Sequence, residues 1–206
     1  MRPPGGSGAL PFVNMHNSIA SIALLASIAA GAAACGDDPV SYSEPVTINL
    51  KVKSSDASTG VVTDDKNITT EQSNPYGAFV ANARNALGGA EPSYIDVDRV
   101  DLLLGARSTG VTALGQVFTG NVEVLFRMND TNNSVPVAAY TMPDAAGSGP
   151  LAFGVAFDSD ALGSADYGKL LGGSFGVVVR GPAAADFQSK GAEAELEVTL
   201  AFTAYE

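Results

Sequence analysis

The stretch AEAELEVTLAFTAY, residues 192–205, decides the fold. Ala194, Leu196, Val198, Leu200 and Phe202 share one parity, and Glu193, Glu195, Glu197, Thr199 and Thr203 share the other. Such alternation marks a strand with one face in a core and one in water, because successive side chains leave a pleated backbone on opposite sides. The stretch PVTINLKVK, residues 45–53, repeats it: Val46, Ile48, Leu50 and Val52 alternate with Thr47, Asn49, Lys51 and Lys53. Further strands are expected at 94–105, 116–128, 134–141, 151–158 and 174–180, separated by Asp, Asn, Gly and Pro clusters. Within 94–105 the parity switches: Ile95 and Val97 share one face, while Val100, Leu102 and Leu104 share the other. A β-bulge near Asp98 and Arg99 reconciles them.

One segment has helical period instead. In NPYGAFVANARNALGG, residues 74–89, Tyr76, Phe79, Val80, Ala83 and Leu87 fall on one helix face. Asn74 can cap its start, Pro75 suits the first turn, and Gly88-Gly89 ends it. A second, shorter helix is expected over 164–171, before Gly172-Gly173, and the polar, aperiodic stretch 54–73 reads as a loop. About seven strands with short turns predict a mostly-β domain over residues 46–206. The expected form is an antiparallel β-sandwich, Ig-like or jelly-roll-like, with one or two short inserted helices.

The chain has 206 residues, 46% of them apolar, enough for one packed core and small for two. Residues 19–34, IASIALLASIAAGAAA, carry no charge and end in small residues, which is the make-up of a secretory signal segment. Ala32-Ala33-Ala34-Cys35 resembles the lipobox of bacterial lipoproteins. That resemblance implies removal of residues 1–34, acylation of Cys35, a short tether over 35–45, and location at the cell envelope. By the same resemblance, Gly36 after the cysteine implies the outer membrane rather than the inner one. Translation can begin at Met1 or at Met15. Cys35 is the only cysteine, so no disulfide forms within the chain, and acylation would block a thiol otherwise exposed to an oxidising compartment.

All 22 acidic residues follow position 34, against 10 basic ones, a net charge of −12 for the expected mature part. Such a domain is repelled by phosphate backbones, so nucleic acid is not an expected partner. The only histidine, His16, lies in the expected signal segment. The mature part therefore has neither a Ser-His-Asp triad, nor a Cys-His pair, nor a His-ligated metal. Glu193, Glu195 and Glu197 read as the wet face of an outer strand rather than as catalytic carboxylates. The best candidate for a ligand is calcium. Asp158, Asp160, Gly163 and Asp166 in DSDALGSAD occupy the first, third, sixth and ninth places of an EF-hand-like loop. Leu162 and Lys169 stand where two further ligands belong, so the expectation is a looser calcium site on Asp158, Asp160 and Asp166. Asp96, Asp98 and Asp101 around the bulge are read mainly as surface charges partnered by Arg99.

The functional expectation is a non-enzymatic, membrane-anchored binding or structural domain, contacting an envelope protein or a glycan, with no cofactor beyond a candidate calcium ion. Two alternatives stand beside it: an accessory carboxylate- or calcium-dependent hydrolase or glycan-processing domain, and a surface-exposed adhesin.

Overall fold

The structure, a computed structural model, describes residues 40–206 apart from 58, 72, 73, 132 and 190. The expected signal segment, Cys35 and residues 36–39 of the expected tether lie outside the described residues.

Eight antiparallel strands form one sheet: β1 (Ser41–Lys53), β2 (Val61–Ile68), β3 (Tyr94–Leu104), β4 (Gly120–Met128), β5 (Ser134–Met142), β6 (Leu151–Val155), β7 (Phe175–Pro182) and β8 (Glu193–Tyr205). Their order across the sheet is β1-β8-β3-β6-β5-β4-β7-β2. The two edge strands, β1 and β2, come back toward each other, and the sheet is nearly a barrel. The mostly-β, antiparallel expectation therefore holds. Where two stacked sheets were expected, hydrogen bonding runs unbroken from edge to edge through β6, which pairs with β3 on one side and β5 on the other.

β8 does what its alternation requires. It pairs over its whole length with β1 and along most of β3, and Ala194, Leu196, Val198, Leu200 and Phe202 are all fully buried. The bulge in β3 falls between Val97 and Arg99, so Ile95, Val97, Val100 and Leu102 all reach the core despite their change of parity. β1 begins at Ser41, within the stretch expected to be a tether: SYSEP lacks apolar alternation, but Ser41–Pro45 complete the ladder opposite Ala201–Tyr205 at the end of β8.

β2 lies in the stretch 54–73, expected to be a loop. VVTDDKNI buries only Val62 and Ile68, so no apolar period exists, and the segment is a strand because β7 supplies a full partner ladder. A strand at the sheet edge needs fewer core residues than a central one.

Among the described residues three α-helices accompany the sheet: α1 (Pro75–Ala86), α2 (Ser164–Leu171) and α3 (Ala185–Ser189). α1 is the helix expected at 74–89, and the Asn74 side chain accepts from Tyr76 N at 3.0 Å. α2 matches its expected bounds, whereas the short α3 was not foreseen. α1 packs across one end of the sheet and lays Tyr76 and Phe79 into the core, both fully buried. There Tyr76 meets Phe175 and Phe202 edge-on, each with ring centroids 5.1 Å apart. Phe126 of β4 lies 4.9 Å from Phe175. The Tyr76 hydroxyl donates to the Leu170 carbonyl at 2.8 Å, tying α1 to α2. Burial pushes the Tyr76 hydroxyl pKa well up, so it stays a donor at any ordinary pH. Among the described residues no helix is long and apolar enough to cross a membrane.

Two substitutions test this account. Asn74→Ala should cost about 1 kcal/mol through loss of the cap, and Phe202→Ala about 3–5 kcal/mol through the cavity it leaves. Both are read from urea unfolding. A Phe202→Ala cost no larger than that of Asn74→Ala would contradict a core centred on that ring.

Candidate functional site

A groove of about 600 Å3 opens where the ladder between β5 and β6 stops. β6 is short and shares only two pairs with β5, Ala138 with Val155 and Ala139 with Gly154. A last rung follows, Ala156 N to Val137 O at 2.9 Å. The chain then leaves the sheet for a 3-10 turn, Ser159–Ala161. Asp96 of β3 holds that turn in place by accepting from Ser159 N and Ser159 Oγ, both at 3.3 Å. Residues 134–136 of β5 are thereby left without a strand on that side, and the groove fills the gap.

Its floor is apolar, formed by Val135, Pro136, Ala156, Ala161 and Leu162. Asp158, Asp166, Asn133 and Ser134 supply polar groups around it, and no Lys or Arg lines it. Asp166, near the start of α2, accepts from Asn133 Nδ2 at 3.0 Å. Asp158 caps the 3-10 turn by accepting from Asp160 N at 2.9 Å. Lys169 donates to the Asn129 carbonyl. The residue in the last EF-hand place thus fastens α2 to the β4–β5 turn.

Of the three residues expected to hold calcium, Asp158 and Asp166 line this groove and Asp160 does not. Among the described residues no three His, Cys, Asp or Glu side chains converge closely enough to hold a metal ion. A hard cation takes about six to eight oxygens, so Asp158, Asp166, Asn133 and Ser134 could furnish at most part of a shell. Around the bulge, Arg99 pairs with Asp101 at 2.6 Å, as expected, while Thr203 donates to Asp98 and Asp96 serves the Ser159 turn.

Nothing in the residue pattern signals the groove's apolar floor. Leu162 stood out only as an interruption in a ligand loop, and Val135 and Pro136 only as strand residues. Their convergence depends on β6 ending at Val155.

The three glutamates of β8 differ from the even wet face expected of them. Glu195 has a side chain only 11% exposed, against 28% for Glu193. Arg107 reaches over from the loop after β3 and grips both Glu195 carboxylate oxygens, Nε donating to Oε2 at 3.0 Å and a terminal nitrogen to Oε1. These charge-assisted hydrogen bonds hold the Glu195 carboxyl below the usual carboxylate range, with burial opposing them. Gly105 leaves room beneath the pair, since a Cβ there would lie 2.8 Å from Glu195 Oε2 and push the carboxylate aside. The arrangement latches the loop 105–110 to the sheet.

Comparison with protein-family models finds no match, and comparison with curated proteins finds no relative.

A folded-state pKa below the unfolded value means Glu195 adds stability above its ordinary titration range, and that contribution disappears as pH falls through its lowered value. Arg107→Ala should therefore bring the Glu195 carboxyl titration, followed by NMR, back up toward the ordinary range and shrink the acid-side loss of stability. An unchanged titration in the variant would remove Arg107 as the cause.

Proposed function

We propose that this chain is a lipid-anchored, non-enzymatic binding domain of a bacterial cell envelope, held at the outer membrane through Cys35, which docks a cationic segment of another envelope protein in the Asp158–Asp166 groove. The observation that carries the docking part is the groove itself. It combines an apolar floor with two carboxylates and contains no basic residue to neutralise them. An apolar floor with a few fixed polar groups is the usual make-up of a binding site. Opposite charge on the visitor gives both selectivity and a faster encounter. The net charge of −12 after position 34 adds a long-range pull of the same sign.

The anchor rests on the lipobox-like Ala32-Ala33-Ala34-Cys35 and the uncharged segment before it. Two or three acyl chains would make attachment practically permanent, because each buried methylene contributes about 0.8 kcal/mol. The expected β-sandwich belongs to this reading as well: β1-β8-β3 and β5-β4-β7-β2 act as two facing halves, with β6 passing between them.

Calcium in the same groove is the second reading, favoured by the placing of Asp158 and Asp166 beside Asn133. Isothermal titration separates the two. Calcium that binds wild type and is lost in Asp166→Asn would support the metal, whereas binding of a Lys/Arg-containing peptide insensitive to calcium would support the protein segment.

The anchor is tested by the intact mass of membrane-extracted protein. Wild type should have the mass of residues 35–206 plus two or three acyl chains, and Cys35→Ser should lack them. The docking site is tested by placing a photo-cross-linking residue at Leu162, with one at the exposed Thr141 as control. A discrete adduct from position 162 in intact cells, absent from 141 and abolished by Asp158→Lys with Asp166→Lys, is the expected result. Equal adducts from both positions would defeat the groove as the docking site.

A further inference from the structure

We propose that the groove between β5 and α2 receives one arginine side chain of the partner protein, its stem on the apolar floor and its guanidinium between Asp158 and Asp166. The inference rests on the docking reading above and specifies what fills the site. Two cross-links bound the groove along the sheet: the last rung, Ala156 N to Val137 O at 2.9 Å, and the bond from Asn133 Nδ2 to Asp166 at 3.0 Å. Pro136, on the wall between them, has no N–H to offer a visiting backbone. An added strand thus has neither a clear path nor a full edge to pair with. The groove instead admits a side chain from outside.

Its two carboxylates are held in place and only half used. Asp158 Oδ1 accepts from Asp160 N at 2.9 Å, and Asp166 Oδ2 accepts from Asn133 Nδ2. Among the described residues the second oxygen of each has no partner. On the facing wall Met128 N donates to Asn133 O at 2.8 Å. Alternate residues of an antiparallel strand bond to alternate sides, so Asn133 faces β4 and the Ser134 carbonyl turns to the groove. Three acceptors from three segments therefore surround one apolar floor. Because hydrogen bonds already fix both aspartates, binding costs them little ordering.

Arginine answers this set better than lysine. Each carboxylate offers one free oxygen, not the pair that a two-pronged contact with a single carboxylate uses. A guanidinium spreads its N–H donors over a plane and can reach separate acceptors at once, whereas an ammonium concentrates its charge at a point. It is also the less strongly hydrated cation, so it gives up less on leaving water for a floor of Val135, Pro136, Ala161 and Leu162. Its methylene stem covers apolar surface while the charged head stays at the rim. No Lys or Arg of this chain lines the groove to compete. Lys169, the basic residue nearest Asp166 along the chain, is engaged by the Asn129 carbonyl.

The test uses the purified full chain and three capped pentapeptides of alanine that carry arginine, lysine or citrulline, the uncharged isostere of arginine, at the centre. Amide NMR shifts locate binding and give its midpoint. The expected result is saturable binding of the arginine peptide with shifts at Ser134, Leu162 and Asp166. Binding should be about fivefold weaker for lysine and about tenfold weaker for citrulline. Asp158→Asn and Asp166→Asn keep an oxygen for Asp160 N and Asn133 Nδ2, and each should weaken the arginine peptide about fivefold. Any of four results would overturn the inference: no saturation by about 10 mM; equal binding of the lysine or citrulline peptide; shifts confined to residues outside the groove; or undiminished binding in both Asn variants. Failure of the docking reading looks different. An adduct from position 162 in cells without arginine preference in the purified chain overturns this inference alone, and arginine preference without that adduct overturns the docking reading alone.

Discussion

The Phe202 ring is where the architecture is joined. It projects inward from β8 and meets Tyr76 and Phe79 of α1 and Phe126 of β4, with centroids 5.1, 5.4 and 6.1 Å away. It therefore links the β1-β8-β3 half of the sheet to the β5-β4-β7-β2 half and to the helix that closes one end. Eight strands curling toward closure leave an interior about wide enough for side chains alone to fill. With no tryptophan in the chain, phenylalanine and tyrosine must supply the large pieces. Edge-on and tilted ring contacts let them do so at near-crystalline density.

That shared core explains why the sheet can remain incompletely closed. Burial holds the two halves together, so backbone pairing need not run the whole way round. It stops short on both sides of β6, with three pairs to β3 and two to β5 before Ala156 N bonds to Val137 O, and among the described residues β1 and β2 pack together with no ladder, joined by the Lys51–Asp64 hydrogen bond. The gap between β5 and β6 carries the groove, which joins unpaired edge backbone to apolar residues and two carboxylates. The docking site proposed for this domain is that interruption.

Legibility followed the apolar pattern closely. β8 and β1 could be read because their alternation is strict, the bulge because Val97 and Val100 could not otherwise both be buried, and α1 because Asn74, Pro75 and Gly88 mark its ends. β2 could not be read: Thr63, Asp64, Asp65, Lys66 and Asn67 break any period, and the segment is extended only because β7 needs a neighbour. Glu195 was misplaced for a related reason. Its polar parity predicts water, but Arg107 arrives from 88 residues away to cover it. Sequence placed Asp158 and Asp166 near each other, but could not show that Asn133 and Val135 come from another strand to complete a groove with them.

The amino-acid sequence by itself determined the strand-rich class, the two principal helices, the bulge, the acidic surface and the absence of histidine after position 16, because each depends on residue type and near-neighbour spacing. Only the tertiary structure decided that the sheet is one nearly closed surface, that Glu195 is covered, and where the ladder stops. Those features are set by contacts between segments distant along the chain, where the core's demand for burial outweighs local preference.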